Sequence, residues 1–303
     1  MGYLEAKNKL RRTAAHVARR IEGKPRIIAS LTSYPPRIGT VDKAIRSLLA
    51  QKTLPDKVVL FLYKGDFPGG ESELPPQLRE LLAKDVVIRW VEEDLRSHKK
   101  WYWAFRDYPN DLIVLFDDDL VYRNDLITEL ANCHKCFPEC VCASRTHFVV
   151  FGEKNLFLPY SEWELEAPIA YPELVLVPSV QLFATTGAGT LFPPHSLPDN
   201  AFEAEAIKEL CLNADDVWIN EMIRRNGMKV VAATAHQNLE YIPDTQEVAL
   251  CHENLDSGGN DGCFRRLADS LYGGDMRQLC AKYRDPSFES FNRKLVNGRR
   301  SDK

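Results

Sequence analysis

The chain alternates short apolar runs with stretches of helical spacing over its first 116 residues. Ile27 to Leu31 is a compact apolar run that stops at a polar loop holding Pro35 and Pro36, which cannot continue a strand ladder. VDKAIRSLLAQ follows with Ala44, Ile45, Leu48 and Leu49 on one helical face. KVVLFLY predicts a second strand, and Pro75 to Ala83 a helix with proline at its start. VVIRWVE predicts a third strand, HKKWYWAFRDY a helix, and Leu112 to Phe116 a fourth strand. Strands separated by helices argue an α/β fold with a mostly parallel, doubly wound sheet, whose ligands lie beyond the carboxyl ends of the strands.

The second half is less regular. Trp163 to Pro194 is rich in proline and short apolar runs. A helix is predicted over Ala201 to Cys211 and another over ADDVWINEMIRRNG, closed by Gly227. KVVAAT reads as a late strand, and residues 236–262 as loop. Cys140 and Cys142 alternate along a further predicted strand, VCAS.

Charge changes the picture at the ends. Residues 1–24 carry seven Lys and Arg against two Glu, a surplus of +5 on a chain of formal net charge −4, which leaves −9 elsewhere. This segment predicts a basic helix with a thin apolar stripe of Leu4, Leu10, Val17 and Ile21. The C-terminal NRKLVNGRRSDK is basic again. The chain therefore divides into a basic N-terminal extension (1–24), one α/β domain (25–285) and a basic tail (286–303). Basic ends on an acidic body suit an anionic surface such as the inner membrane face, or are simply solvated termini. The mild net charge gives no case for nucleic acid as a partner. No apolar run approaches the roughly 18 residues of a membrane span, and the N-terminus lacks the apolar core of a secretory signal. A cytoplasmic location and eight reduced thiols are the expectation. The spacing in NCHKCFPECVCAS fits no common zinc pattern, so its cysteines read as buried structural thiols.

The candidate chemistry begins where the fourth strand runs into Asp117, Asp118 and Asp119. Adjacent carboxylates repel, and desolvating them is costly without a compensating cation. Side chains alternate faces along a strand, so Asp117 and Asp119 point the same way and can hold Mn²⁺ or Mg²⁺, with Asp118 on the other face. Capping of the next helix is the competing reading, although Asn124 and Asp125 are better placed for it.

The ordered set SLTSYPPRI, SHKKWYWAF, FDDDLVY, GAGTLFPP and NADDVWIN resembles bacterial glycosyltransferases of the GT-A fold. More narrowly, it is similar to the family-2-like sugar transferases of capsule and lipopolysaccharide synthesis. The resemblance covers roughly residues 25 to 265. It implies a Rossmann-like, nucleotide-sugar-binding α/β domain in which Asp117 and Asp119 hold a metal on the donor diphosphate and Asp118 touches ribose or sugar. It places Thr32, Ser33, Tyr34 and Arg37 at the nucleotide; stacking by Tyr34 and planar donors on Arg37 suit that role. Lys99 is preferred over Lys100 for neutralising the leaving diphosphate, with Lys100 on a solvated face. Trp101, Tyr102, Trp103 and Phe105 read as core. Gly187 and Gly189 let the backbone approach the donor sugar or make a tight turn. Asp216, with Asp215 beside it, matches the base of inverting relatives, against helix capping by Asp215 as the structural alternative. His252 is a candidate third metal ligand, and Asn254, Asn260 and Asp261 a candidate polar lid.

The implied reaction is metal-dependent transfer of a hexose from a nucleotide-sugar, UDP-linked in the first instance, to a hydroxyl of a surface glycan or lipid-linked glycan. A retaining transferase without a general base, and a metal-dependent sugar nucleotidyltransferase, are the alternatives. The latter normally carries a Gly-rich loop with a basic residue after the first strand, which SLTSYPPRIGT lacks.

Overall fold

The computed structural model describes residues 23–82, 86–235, 239–243, 245 and 259–301. The basic segment before residue 23, His236, His252 and Asn254 lie outside the described residues.

The first half follows the predicted alternation. β1 (Ile27–Thr32), α1 (Val41–Leu49), β2 (Lys57–Tyr63), α2 (Pro76–Arg79), β3 (Val86–Val91), α3 (Lys99–Asp107) and β4 (Leu112–Phe116) occur in that order. A short β5 (Leu120–Val121), α4 (Leu126–Cys136), β6 (Cys140–Ala143) and β7 (Thr146–Phe148) follow. The later chain forms α5 (Ala167–Ala170), β8 (Leu182–Ala184), β9 (Ala188–Phe192), α6 (Ala204–Cys211), α7 (Asp215–Arg225), β10 (Lys229–Ala232) and β11 (Glu240–Tyr241). It ends in α8 (Gly259–Leu271), α9 (Met276–Ala281) and α10 (Glu289–Ser301).

Seven strands form the main sheet in the order β10-β6-β9-β4-β1-β2-β3. Neighbours are parallel except β9, which runs antiparallel between β4 and β6. Alternate residues of each strand enter different cores. Ile28, Val59, Phe61, Ile113 and Leu115 pack with Trp101 of α3 and Trp218 of α7, while Ala29, Leu31, Leu60 and Val114 pack with Ile45 of α1 and Ile127 of α4. A sheet covered on both faces explains why its strands read as continuous apolar runs rather than alternating ones. Trp101, Tyr102 and Phe105 are core, as expected, and Trp103 is partly buried against it.

The reversed direction of β9 positions the site. The turn leading into β9 lies at the carboxyl end of β4, so Gly187 meets Asp117, the first aspartate after Phe116. Helix α7 docks on the same region through Asn220, whose amide accepts from Ala184 N–H at 3.0 Å and donates to the Ala184 carbonyl at 2.7 Å.

Three features depart from the sequence reading. Residues 259–262 are not loop but the first turn of α8. Within it Asn260 is buried and Asp261 accepts a hydrogen bond from the Tyr160 N–H at 3.0 Å, so these two serve packing rather than an open lid. Cys211 and Cys263 are joined in a disulfide between α6 and α8 where free thiols were expected; 52 residues of sequence separate them, and only helix packing makes them neighbours. The basic stretch after residue 286 contains α10, which packs through Phe291 against Phe148 and Tyr171 at ring separations of 4.8 and 4.9 Å. Among the described residues no helix is long and apolar enough to cross a membrane.

Candidate active site

The triple aspartate is a turn, not a strand continuation. β4 ends at Phe116, and a turn at Asp118 and Asp119 leads into β5. Strand alternation therefore does not set the side-chain directions here, and the three aspartates divide between two basic partners. Asp118 and Asp119 share Arg37, whose guanidinium donates to Asp118 Oδ1 at 2.9 Å and lies 3.1 Å from Asp119 Oδ2. Asp117 turns instead towards Lys100, whose ammonium is 2.7 Å from Asp117 Oδ1.

The turn is held by its own backbone. Asp117 N–H donates to the Gly187 carbonyl at 3.0 Å and to the Tyr122 hydroxyl at 2.7 Å, and that hydroxyl donates to Gly187 at 2.6 Å. Ile242 N–H donates to the Asp119 carbonyl at 2.8 Å. Gly187 is required by proximity: a Cβ there would stand 1.5 Å from Asp117 Oδ2. Gly189 is required by conformation, with φ of +102°.

The loop after β1 supplies the other wall. Ser33 donates to Asp118 Oδ2 at 2.6 Å, and Arg37 also donates to the Thr245 carbonyl at 3.2 Å. The Arg37 guanidinium sits 5.8 Å from the Tyr34 ring centre. Thr32 is committed elsewhere, donating to the Phe61 carbonyl at 2.8 Å. Burial pushes the Asp118 carboxyl above its ordinary range, against the pull of Arg37 and Ser33.

Lys100, rather than Lys99, is the lysine at the aspartates. Lys99 pairs with Asp94 at 2.5 Å, whereas Lys100 reaches the aspartates. Both ammonium stems are buried, so neither is on a solvated face. Successive positions at a helix start differ by about 100° in direction, which is enough to send one inward to the strand ends and the other towards the end of β3. Ser30 of β1 fixes this start by donating to the Lys100 carbonyl.

Asp215 and Asp216 open α7. Asp215 Oδ2 lies 3.0 Å from the Lys100 ammonium. Asp216 Oδ1 accepts from both the N–H and the hydroxyl of Thr186, at 2.9 and 2.7 Å. Burial would push Asp215 up, but the Lys100 ammonium outweighs it and holds the carboxyl below its ordinary value. Burial and then the charge of Asp215 push Asp216 up to about 6. Burial opposes the charge on Lys100, yet Asp117, Asp215 and Asp216 hold it firmly protonated.

The structure thus brings Ser33, Arg37, Asp117, Asp118, Asp119, Gly187, Asp215 and Asp216 into one connected cluster at the strand ends. Lys100, Tyr122 and Thr186 complete it. Sequence reasoning passed over Tyr122 and Thr186, because a tyrosine and a threonine flanking acidic or glycine-rich motifs carry no signal of their own. Five carboxylates, on Asp117, Asp118, Asp119, Asp215 and Asp216, face two basic side chains, Arg37 and Lys100. The excess of negative charge suits a hard divalent cation with oxygen ligands. The Asp117 side chain is 42% exposed and open to one. Among the described residues, no three His, Cys, Asp or Glu side chains already converge as a ligand set, so phosphate or water oxygens would have to complete the shell.

No protein-family model matches the sequence, and no curated protein matches it. Among solved structures, the chain is similar to Staphylococcus aureus TarS 1–349 in complex with UDP, at 12% identity and a TM-score of 0.49, over 87% of this chain and 72% of that one. A second structure of TarS 1–349 gives 11% identity and a TM-score of 0.46 over 89% and 73%, and a longer TarS structure 10% and 0.44 over 87% and 44%. Likeness at this level concerns the path of the backbone; the chemistry of the site rests on its own residues.

Proposed function

We propose that this protein is a metal-dependent glycosyltransferase that moves a hexose from a UDP-linked donor to a hydroxyl of a bacterial surface glycan, with inversion at the anomeric carbon. The observation that carries the reading is the pairing, in one cluster, of an exposed carboxylate beside a buried cation (Asp117 and Lys100) with a partly buried carboxylate, Asp216, held by the neutral donors of Thr186. The first half suits a diphosphate and its counter-ion, and the second suits a general base.

In the reaction, Asp216 takes the proton of the acceptor hydroxyl as that oxygen forms its bond to the anomeric carbon. The bond from that carbon to the diphosphate oxygen breaks, and its electron pair leaves with the nucleotide diphosphate. Asp117 and Asp119 are the residues that would hold Mn²⁺ or Mg²⁺, which when bound supplies charge to the diphosphate. Lys100 adds a fixed positive charge on the same side. Tyr34 and Arg37 offer a ring face and planar donors to the nucleotide, with Ser33 and Arg37 restraining Asp118 between them. A lipid-linked acceptor would give the basic ends of the chain an inner-membrane surface to meet.

Calorimetric titration of UDP with and without Mn²⁺ tests the donor half. Metal-dependent binding is expected, and it should disappear in an Asp117→Ala, Asp119→Ala double variant. Binding that is indifferent to both metal and substitution would overturn the assignment. A parallel series with GDP, CMP and dTDP separates a wrong base from a wrong class.

A further inference from the structure

Asp215 and Asp216 are adjacent in sequence and indistinguishable as residue types, yet the fold gives them opposite surroundings. Asp215 faces a cation, with the Lys100 ammonium 3.0 Å from its Oδ2. Asp216 faces neutral donors, the N–H and hydroxyl of Thr186. Lys100 comes from another element, α3, and its side chain is 3% exposed. A buried ammonium needs carboxylate partners, and removing one leaves an uncompensated charge. Its partners here are Asp117 and Asp215.

We infer that Lys100 and Asp215 are a positioning pair for the base: Asp215 stays ionised as the fixed counter-charge of Lys100, and Asp216 alone exchanges the acceptor proton. The inference rests on the reading of Asp216 as the base and adds the role of its neighbour Asp215 and what sets the proton affinity of the base. The two neighbours act on Asp216 with opposite sign. The negative charge of Asp215 raises its proton affinity, and the positive charge of Lys100 lowers it. The other groups facing this corner are neutral or committed. His98, beside Asp215, is fully buried with Nε2 2.9 Å from the Cys211 carbonyl, and burial depresses its pKa to about 4. Tyr160, from the turn at 160–162, is held protonated by burial and by the charge of Asp216.

The test is a carboxyl ¹³C NMR titration of the full chain labelled at aspartate, which needs no substrate. Lys100→Met should raise the midpoint of Asp216 by about one pH unit, and Asp215→Asn should lower it by about as much. Lys100→Arg, which keeps the charge, should leave the midpoint in place and guards against a Met variant that does not fold. Shifts of the same sign in the Met and Asn variants, or no shift in Asp215→Asn, would overturn the inference. In transfer assays the acid limb of the rate should move with the NMR midpoint. If the NMR shifts occur but Asp216→Asn remains active, the base assignment fails while the electrostatic pair stands.

Discussion

At Asp216 the surrounding structure translates directly into a pH dependence. A carboxyl with a midpoint near 6 is ionised, and able to accept a proton, above that pH. Transfer should therefore be full at pH 7 to 8 and fall about tenfold per unit below pH 6, as measured by initial rates at saturating donor. Asp216→Asn should lose about 10²–10⁴ of the rate with nucleotide affinity unchanged. Gly187 carries a different constraint. Any Cβ there meets the Asp117 carboxyl, so Gly187→Ala must displace either the turn or the aspartate. A loss of about 1–3 kcal/mol in denaturant stability is expected, with weaker metal-dependent UDP binding. Neither Asp216 nor Gly187 owes its role to residue type alone. A second aspartate and a second glycine stand beside them in the sequence, and contacts across 30 to 70 residues distinguish the members of each pair.

Among the elements, α7 and the β8–β9 turn act as one unit. Asn220 sits on α7, fully buried, and closes both polar groups of Ala184 while also donating to the Asp216 carbonyl at 2.8 Å. Asn220→Ala would leave those buried backbone groups unpaired, at a cost of about 2–4 kcal/mol. It would also loosen Thr186 from Asp216. Thermal unfolding should report the first effect and kcat, more than KM for the donor, the second. The helix itself was legible from VWINEMIRR and the glycine that follows, whose φ of +74° ends it as predicted. Its docking through a buried asparagine was not, because a polar residue within a helix gives no sign of the backbone it will meet. The same limit applies to α3: the helix was clear from spacing, but which of Lys99 and Lys100 points to the strand ends depends on how its first turn seats on Ser30.

For the molecule as a whole, two cores flank the sheet, and the disulfide between Cys211 and Cys263 closes the α6–α7 region against α8. It spans the catalytic candidates in sequence without touching them. Reduction should lower stability by about 4 kcal/mol on the loop-entropy model for a separation of 52 residues. A fall in Tm on adding a thiol reductant, absent in a Cys211→Ala, Cys263→Ala variant, checks it. The basic helix α10 is part of the packed body through Phe291, and the turn before it through Phe288, so its charge is displayed from a seated helix rather than from a free tail.

Sequence alone determined the strand–helix alternation, because a sheet covered on both faces needs unbroken apolar strands and one-sided helices, and both patterns are local. It also determined where acidic and glycine residues concentrate after those strands. Tertiary structure decided which of them meet. The antiparallel entry of β9 brings Gly187 to Asp117 and Thr186 to Asp216, and the turn after Phe116 gives Asp118 and Asp119 to Arg37 and Asp117 to Lys100. Such pairings depend on strand order and helix seating. Those follow from the balance of burial over the whole chain, which no local window of residues contains.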